Sequence, residues 1–294
     1  MNAIAFTDVS KRYGDVLAVD GLDLTVEAGR TVALLGPNGA GKSTSIGMLL
    51  GLLRPTRGRV EVLGSPPEEA AARGEVGAML QSGELIPELT VRELVDFVRR
   101  LYPRPLGLDE ILRTADLTDL ARRRADRLSG GQAQRVRFAL SIAGAPRVLV
   151  LDEPTAAMDV ESRLRFWEGM RAYAAGGRTV LFATHYLEEA DEHSDRVIVI
   201  ARGRVVADGT AAQIKAGAGG QTVRFTLGGQ AAAGLDALPG VTAVELDAGL
   251  ATLRTADPDA TVTALYRGTS LDIRDLRITG ADLEDAFLTL TQEV

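Results

Sequence analysis

The chain of 294 residues is 46% hydrophobic and 25% charged, the balance of an ordinary soluble globular protein with enough length to bury a sizeable core in one large domain or in a medium and a small one. Zero cysteines exclude disulfides and thiolate metal sites, and two histidines leave little for a dedicated zinc site. The net charge of −7 is concentrated in residues 220–294, where eleven acids face five arginines, and no basic stripe marks a nucleic-acid surface.

The opening MNAIAFTDVSKRYGD lacks the basic-then-apolar plan of a secretory signal, and no apolar run approaches the roughly 18 to 20 residues of a membrane span, so the chain is expected to be cytoplasmic. IAFTDVSKRY and VLAVDGLDLTV carry near-alternating apolar residues and predict paired strands turned at Gly14-Asp15. TVALLG then runs as a strand into the glycine-rich GPNGAGKST, and KSTSIGMLLGLL continues as a helix. RGRVEVLG and EVGAML are further strands, followed by a helix from Thr90. In RLSGGQAQRVRFAL a serine and two glycines precede an amphipathic helix, so a hydroxyl and bare backbone amides at its positive end make a seat for an anion. RVLVLDEP and RTVLFATH are short, almost wholly apolar runs, as parallel strands covered on both faces require, and RVIVIARGRVVADG predicts a hairpin turned at Arg202-Gly203. Together these predict an α/β domain over residues 1–215 with a mainly parallel sheet and an antiparallel accessory sheet. A small, glycine-rich linker is expected at 216–221. Residues 222–294 then read as β-α-β-β-α-β, with a short helix around 230–237, which fits a small ferredoxin-like module. A last helix, ADLEDAFLTLT, sets Leu283, Phe287 and Leu290 on one face.

GPNGAGKS satisfies GxxxxGK[ST] between a strand and a helix, the context of a phosphate cradle. In the loop Gly36, Pro37, Asn38, Gly39, Ala40 and Gly41, the glycines free backbone amides to turn around phosphates. Lys42 would reach the β and γ groups, Ser43 would offer its hydroxyl to Mg²⁺, and Thr44 extends the cradle. Only three of the 33 basic residues are lysine, so a lysine at position 42 suggests that a compact ammonium is wanted there. RVLVLDEP delivers Asp152 and Glu153 to a strand's carboxyl end, where open α/β sheets bind ligands; taken alone, two such acids could also be a helix cap or a solvated face. With the cradle, Asp152 suits a Mg²⁺ ligand and Glu153 a base for attacking water. His185 ends the next apolar strand and would reach the γ-phosphate and that water, whereas His193, inside EEADEHSD, reads as a solvated helix residue. Gln81 leaves a strand for a loop and suits either a Mg²⁺ and water ligand or an ordinary loop position. Tyr13 offers an aromatic face for stacking a base, with core packing as the alternative.

The ordered set Tyr13, GPNGAGKST, Gln81, LSGGQ, VLVLDEP, Asp159 and His185 resembles the ATPase subunit of an ATP-binding cassette transporter over roughly residues 3–215. The resemblance implies a P-loop NTPase fold of that type, with a helical subdomain, and Mg-ATP as the nucleotide. It also implies a head-to-tail homodimer in which Ser129, Gly130, Gly131 and Gln132 of one copy close over the ATP in the other's cradle. The segment Gln81 to Leu94 is implied to touch a coupling helix of a separate integral membrane subunit, which would hold the chain at the inner face of the cell membrane. ATHYLEEAD and LEDAFLTLT are similar to daunorubicin-resistance exporter ATPases and imply efflux of a hydrophobic drug-like or lipid-like molecule. The acidic tail module would either stabilise the fold or, as the resemblance favours, serve regulation or assembly. A soluble relative acting on nucleic acid or ribosomes is the alternative, although such members carry two cassettes or a coiled-coil insertion that this sequence lacks. The loop after the acid usually reads glycine, leucine, aspartate, proline in this family; here Ala157, Met158, Asp159 and Val160 keep only the aspartate.

Overall fold

The computed structural model describes residues 2–81, 83–217, 221–228, 234–247, 249–268, 271–280 and 282–292. The chain divides into two compact units, 1–210 and 211–293. In the first, β1 (Asn2–Tyr13) and β2 (Val16–Glu27) pair antiparallel around a turn at Gly14-Asp15, their inward residues Ile4, Phe6, Val9, Leu22, Leu24 and Val26 entering the core. β3 (Thr31–Leu35) leads into α1 (Lys42–Leu49). β4 (Arg57–Val62) pairs with the other edge of β1, completing an antiparallel sheet ordered β2-β1-β4. After α2 (Pro67–Ala72) and β5 (Val76–Met79) comes a helical stretch, α3 (Val91–Arg99), α4 (Leu108–Thr114) and α5 (Gly130–Ile142). β6 (Val148–Asp152), α6 (Val160–Ala174), β7 (Thr179–Ala183) and α7 (Leu187–His193) follow. The hairpin β8 (Arg196–Ala201) and β9 (Arg204–Gly209) ends the unit, turning at Arg202-Gly203.

The second sheet of this unit is ordered β5-β6-β7-β3-β8-β9 and is parallel except for its last pair. Every residue of β6 and β7 is buried, which is why these strands read as unbroken apolar runs without alternation. Each fully buried Val, Leu, Ile or Phe contributes about 1.5–3 kcal/mol, so the seven Val, Leu and Phe positions of these strands anchor the strand ends on which the site stands. The expected parallel core, antiparallel accessory sheet and helical subdomain are all present. Thr90 starts α3 as foreseen, because its hydroxyl accepts from the Glu93 amide at 3.3 Å and the Glu93 carboxylate accepts from the Thr90 amide at 2.9 Å.

An edge-to-face run of Phe138, Phe166, Trp167 and Phe182 ties α5, α6 and β7, with ring centroids 5.1, 5.4 and 4.9 Å apart. His193 joins it and so corrects the expectation of a solvated residue: its side chain is 5% exposed and its ring lies 4.4 Å from that of Trp167. Acidic neighbours in EEADEHSD suggest solvent, but the last turn of α7 faces the core, and burial pushes the imidazole pKa down.

The second unit begins with α8 (Ala211–Gly217), ahead of the boundary expected after 215. Of the expected linker, 216–217 end this helix, Gln221 starts a strand, and 218–220 lie outside the described residues. β10 (Gln221–Leu227), β11 (Val241–Asp247) and β12 (Leu250–Thr255) are followed by α9 (Pro258–Gly268), β13 (Ile273–Gly280) and α10 (Leu283–Gln292). The sheet is wholly antiparallel and ordered β11-β12-β10-β13, the strand order of a ferredoxin-like split βαβ module. Of the helix expected around 230–237, a 3-10 turn at Leu235–Ala237 is described, and 230–233 lie outside the described residues. Val223, Phe225, Leu235, Ala251, Leu253 and Leu265 form a separate core. α8 packs on α10, where Leu283 and Ala286 are buried. Among the described residues no helix is long and apolar enough to cross a membrane.

Candidate functional site

The loop from β3 to α1 is held by two close approaches. A Cβ on Gly36 would lie 2.3 Å from the Ile200 carbonyl oxygen, and one on Gly41, at φ +103°, would lie 2.5 Å from that of Ala18, so neither position admits a side chain. Pro37, Asn38 and Gly39 form the exposed rim, Ala40 is buried beneath them, and its amide donates to the Pro37 carbonyl at 3.1 Å. Lys42 opens α1 and folds back over the loop, donating to the carbonyls of Gly36 at 2.5 Å and Pro37 at 3.2 Å. Burial lowers its pKa, while Glu153 and Asp152 pull it back up. Ser43 is exposed and Thr44 half-buried on the same first turn.

Beside the cradle, β6 and β7 run in register with Asp152 opposite Ala183, and the Glu153 amide donates to the Ala183 carbonyl at 2.9 Å. That register places the acids and His185 together: Glu153 Oε2 is 2.7 Å from His185 Nδ1 and also accepts from the His185 amide at 3.4 Å. The Glu153 side chain is 12% exposed and that of His185 60% exposed, so the pair opens toward solvent from the imidazole side. Glu153 has φ +51°, a left-handed conformation that costs a non-glycine residue about 1–3 kcal/mol and is retained where the surroundings over-determine it. Asp152 is 7% exposed; burial first, and the neighbouring Glu153 charge second, raise its carboxyl pKa, with Lys42 opposing.

Asp152, Ser43 and Gln81 offer a carboxylate, a hydroxyl and an amide, all oxygen donors of the kind Mg²⁺ prefers. Among the described residues no cluster of three or more His, Cys, Asp or Glu could hold a metal ion. Gln81 is exposed just past β5, the strand beside β6. Tyr13 ends β1 at 44% exposure, which excludes core packing, and the Lys11 ammonium lies over its ring, 5.2 Å from the centroid.

Ser129 caps α5: its Oγ accepts from the Gln132 amide at 3.3 Å, and Gln132 Oε1 accepts from the Ser129 amide at 3.1 Å. Gly130 and Gly131 lie against Ala157 and Met158. Asp159 caps α6 in the same way, its Oδ1 accepting from the Ser162 amide at 2.7 Å, and these hydrogen bonds hold its carboxyl pKa below the usual range. Among the described residues no hydrogen bond joins 129–132 to the cradle at 36–44. The structure thus assembles Lys42, Asp152, Glu153 and His185, and among the described residues no hydrogen bond joins Ser129, Gly130, Gly131 or Gln132 to that group.

Sequence reading missed the links around these loops. Arg137 donates to the Gly83 carbonyl at 2.9 Å and to Gln134 Oε1 at 2.9 Å, while Gln134 Nε2 donates to the Ala156 carbonyl at 3.3 Å, so α5 spans from the loop after Gln81 to the loop after Glu153. Arg123 reaches Gln132 Oε1 at 3.2 Å. Glu189, buried on α7, joins Thr155 and Thr184. The only signal for the caps was a Ser or Asp placed directly before a helix.

Residues 19–156 match the family described as ABC transporter. A daunorubicin resistance ATP-binding protein of Streptomyces coeruleorubidus is 39% identical over 98% of this chain and 96% of its own length. A Nod factor export ATP-binding protein I of Burkholderia lata is 41% identical over 70% of each chain. Among solved structures, a dimeric ATP-binding cassette in a post-hydrolysis state with ADP and Pi superposes with a TM-score of 0.64 at 27% identity, covering 70% of this chain and 98% of its own. With its phosphate cradle, acid pair and histidine on adjacent strand ends, the chain belongs to the ABC transporter family, as one of its ATP-hydrolysing cassettes.

Proposed function

We propose that this ATPase works as a homodimer at the inner face of the cell membrane, powering export of a hydrophobic drug-like or lipid-like molecule through a separate membrane subunit. The observation that carries this reading is that Lys42, Asp152, Glu153 and His185 converge, while among the described residues no hydrogen bond joins the capped Ser129 loop, read as a second anion seat, to them. A second copy in head-to-tail arrangement would bring its Ser129, Gly130 and Gly131 amides over the nucleotide held by the first. The export reading is supported by the relatives' names, daunorubicin resistance and Nod factor export.

Each residue then has a chemical task. The cradle amides and Lys42 hold the β and γ phosphates, with Tyr13 stacking on the base. Mg²⁺, held by Ser43, Gln81 and Asp152, would neutralise charge on the phosphates. Glu153 commits Oε2 to His185 and leaves Oε1 to accept a proton from the attacking water, while His185 fixes that carboxylate and reaches the γ-phosphate. Replacing Glu153 by Gln removes the base but keeps the shape, so phosphate release should fall at least about 100-fold with nucleotide binding retained. A variant hydrolysing ATP at the wild-type rate would remove Glu153 from this role.

A further inference from the structure

We propose that Glu189 is a positioning residue for hydrolysis, a buried carboxylate that clamps the loop after β6 to the loop after β7 and thereby fixes Glu153 against His185. This rests on the roles proposed above for that pair.

Glu189 is 3% exposed in the first turn of α7. Its Oε1 accepts from Thr155 Oγ1 at 2.5 Å and its Oε2 from Thr184 Oγ1 at 3.0 Å. Thr155 lies two residues past Glu153 and Thr184 immediately precedes His185; each is 1% exposed. Both oxygens are thus spent on the two loops that present the reactive pair. A buried carboxylate is costly unless paired and hydrogen-bonded, and apolar packing could have joined two loops without that cost. A third contact has the same destination. Arg163 Nε stands 3.7 Å from Glu189 Oε1, its guanidinium covers the Tyr186 ring at 4.8 Å, and that ring packs 4.0 Å from the ring of His185. Glu189 therefore reaches His185 along the backbone through Thr184 and across side chains through Arg163 and Tyr186.

The strain in the acid loop gives the clamp its purpose. Glu153 and Ala157 hold φ +51° and +64°, and Thr155 sits between them. Releasing Thr155 would let that loop relax and carry the Glu153 carboxylate away from its 2.7 Å contact with His185. A misplacement near 1 Å is enough to lower turnover by about 100-fold.

The test uses the full chain with Glu189→Gln and with Thr155→Val, which removes a single hydroxyl and decides the matter if Glu189→Gln does not fold. Four quantities are read: kcat and KM for ATP, emission of the sole tryptophan, Trp167, and the ring NMR signals of the two histidines. The clamp predicts kcat lowered about 10-fold or more with KM within about 2-fold, displaced His185 signals and unchanged Trp167 emission. Folded variants with wild-type kcat and unmoved His185 signals would overturn it. If Glu153→Gln proved fully active, the base assignment would fail, while displaced His185 signals in Glu189→Gln would still uphold the clamp.

Discussion

Asp152 and Lys42 face each other across a site that disfavours both of their charges. Burial is the leading cause in each case, raising the carboxyl pKa of Asp152 and lowering that of Lys42, and the Glu153 charge adds to the first shift while opposing the second. A carboxyl whose folded pKa lies above its unfolded value stabilises the fold at low pH and loses that contribution as pH rises through the folded pKa. Asp152→Asn should therefore make the nucleotide-free protein more stable than wild type at neutral pH, with the difference vanishing as pH falls below the ordinary carboxylate range. Denaturation followed by Trp167 fluorescence checks this; a destabilised variant at neutral pH would contradict it. The four convergent residues were legible because a fixed glycine spacing and apolar runs ending in polar residues both announce strand ends. Tyr13 and Gln81 were not decided by spacing, since exposure is a tertiary property. Glu189 could not be read at all: within LEEAD it looks like one more solvated acid, and its partners are five and 34 positions away.

At the scale of elements, strands and caps were the readable part. LATLRT and PDATVTALYRG became β12 and α9 as written, because alternation and helical spacing are local signals. The acid loop shows what a departure from family pattern does. Ala157 occupies the place where the family has glycine and still takes φ +64°, a conformation that costs alanine about 1–2 kcal/mol. Val160, where the family has proline, is the first residue of α6 and 72% exposed, and Asp159 before it is extended at φ −71°, ψ 169°, as a residue preceding proline requires. Val160→Pro should accordingly stabilise the protein by about 0.5–1 kcal/mol, and Ala157→Gly by less, since glycine's added freedom in the unfolded chain offsets part of the relieved strain. Urea unfolding midpoints measure both; a destabilising Val160→Pro would contradict the cap geometry. Turnover of these variants reports whether the strained alanine also sets the rate.

Across the whole molecule, two cores imply two folding units. The post-hydrolysis cassette structure covers 70% of this chain, whereas the daunorubicin resistance relative covers 98%. The second unit's core of Val223, Phe225, Leu253 and Leu265 predicts that residues 211–294 expressed alone unfold cooperatively, and that residues 1–210 still bind ATP. A fragment 211–294 without a cooperative transition would contradict that division. The acidity of residues 220–294 was plain in the sequence, but its partner was not, because composition gives the sign of a surface and not what meets it.

Complementation tests most directly whether each active site is built from two copies. Lys42→Ala disables a cradle. Ser129→Asp keeps a good helix cap while setting a negative charge where the γ-phosphate should sit, so it damages only the opposing seat. Each variant alone should be inactive, and an equimolar mixture should recover up to about a quarter of wild-type phosphate release, because half the dimers are mixed and each mixed dimer has one intact site of two. A mixture no more active than its separate components, or full turnover by Ser129→Asp alone, would contradict the account.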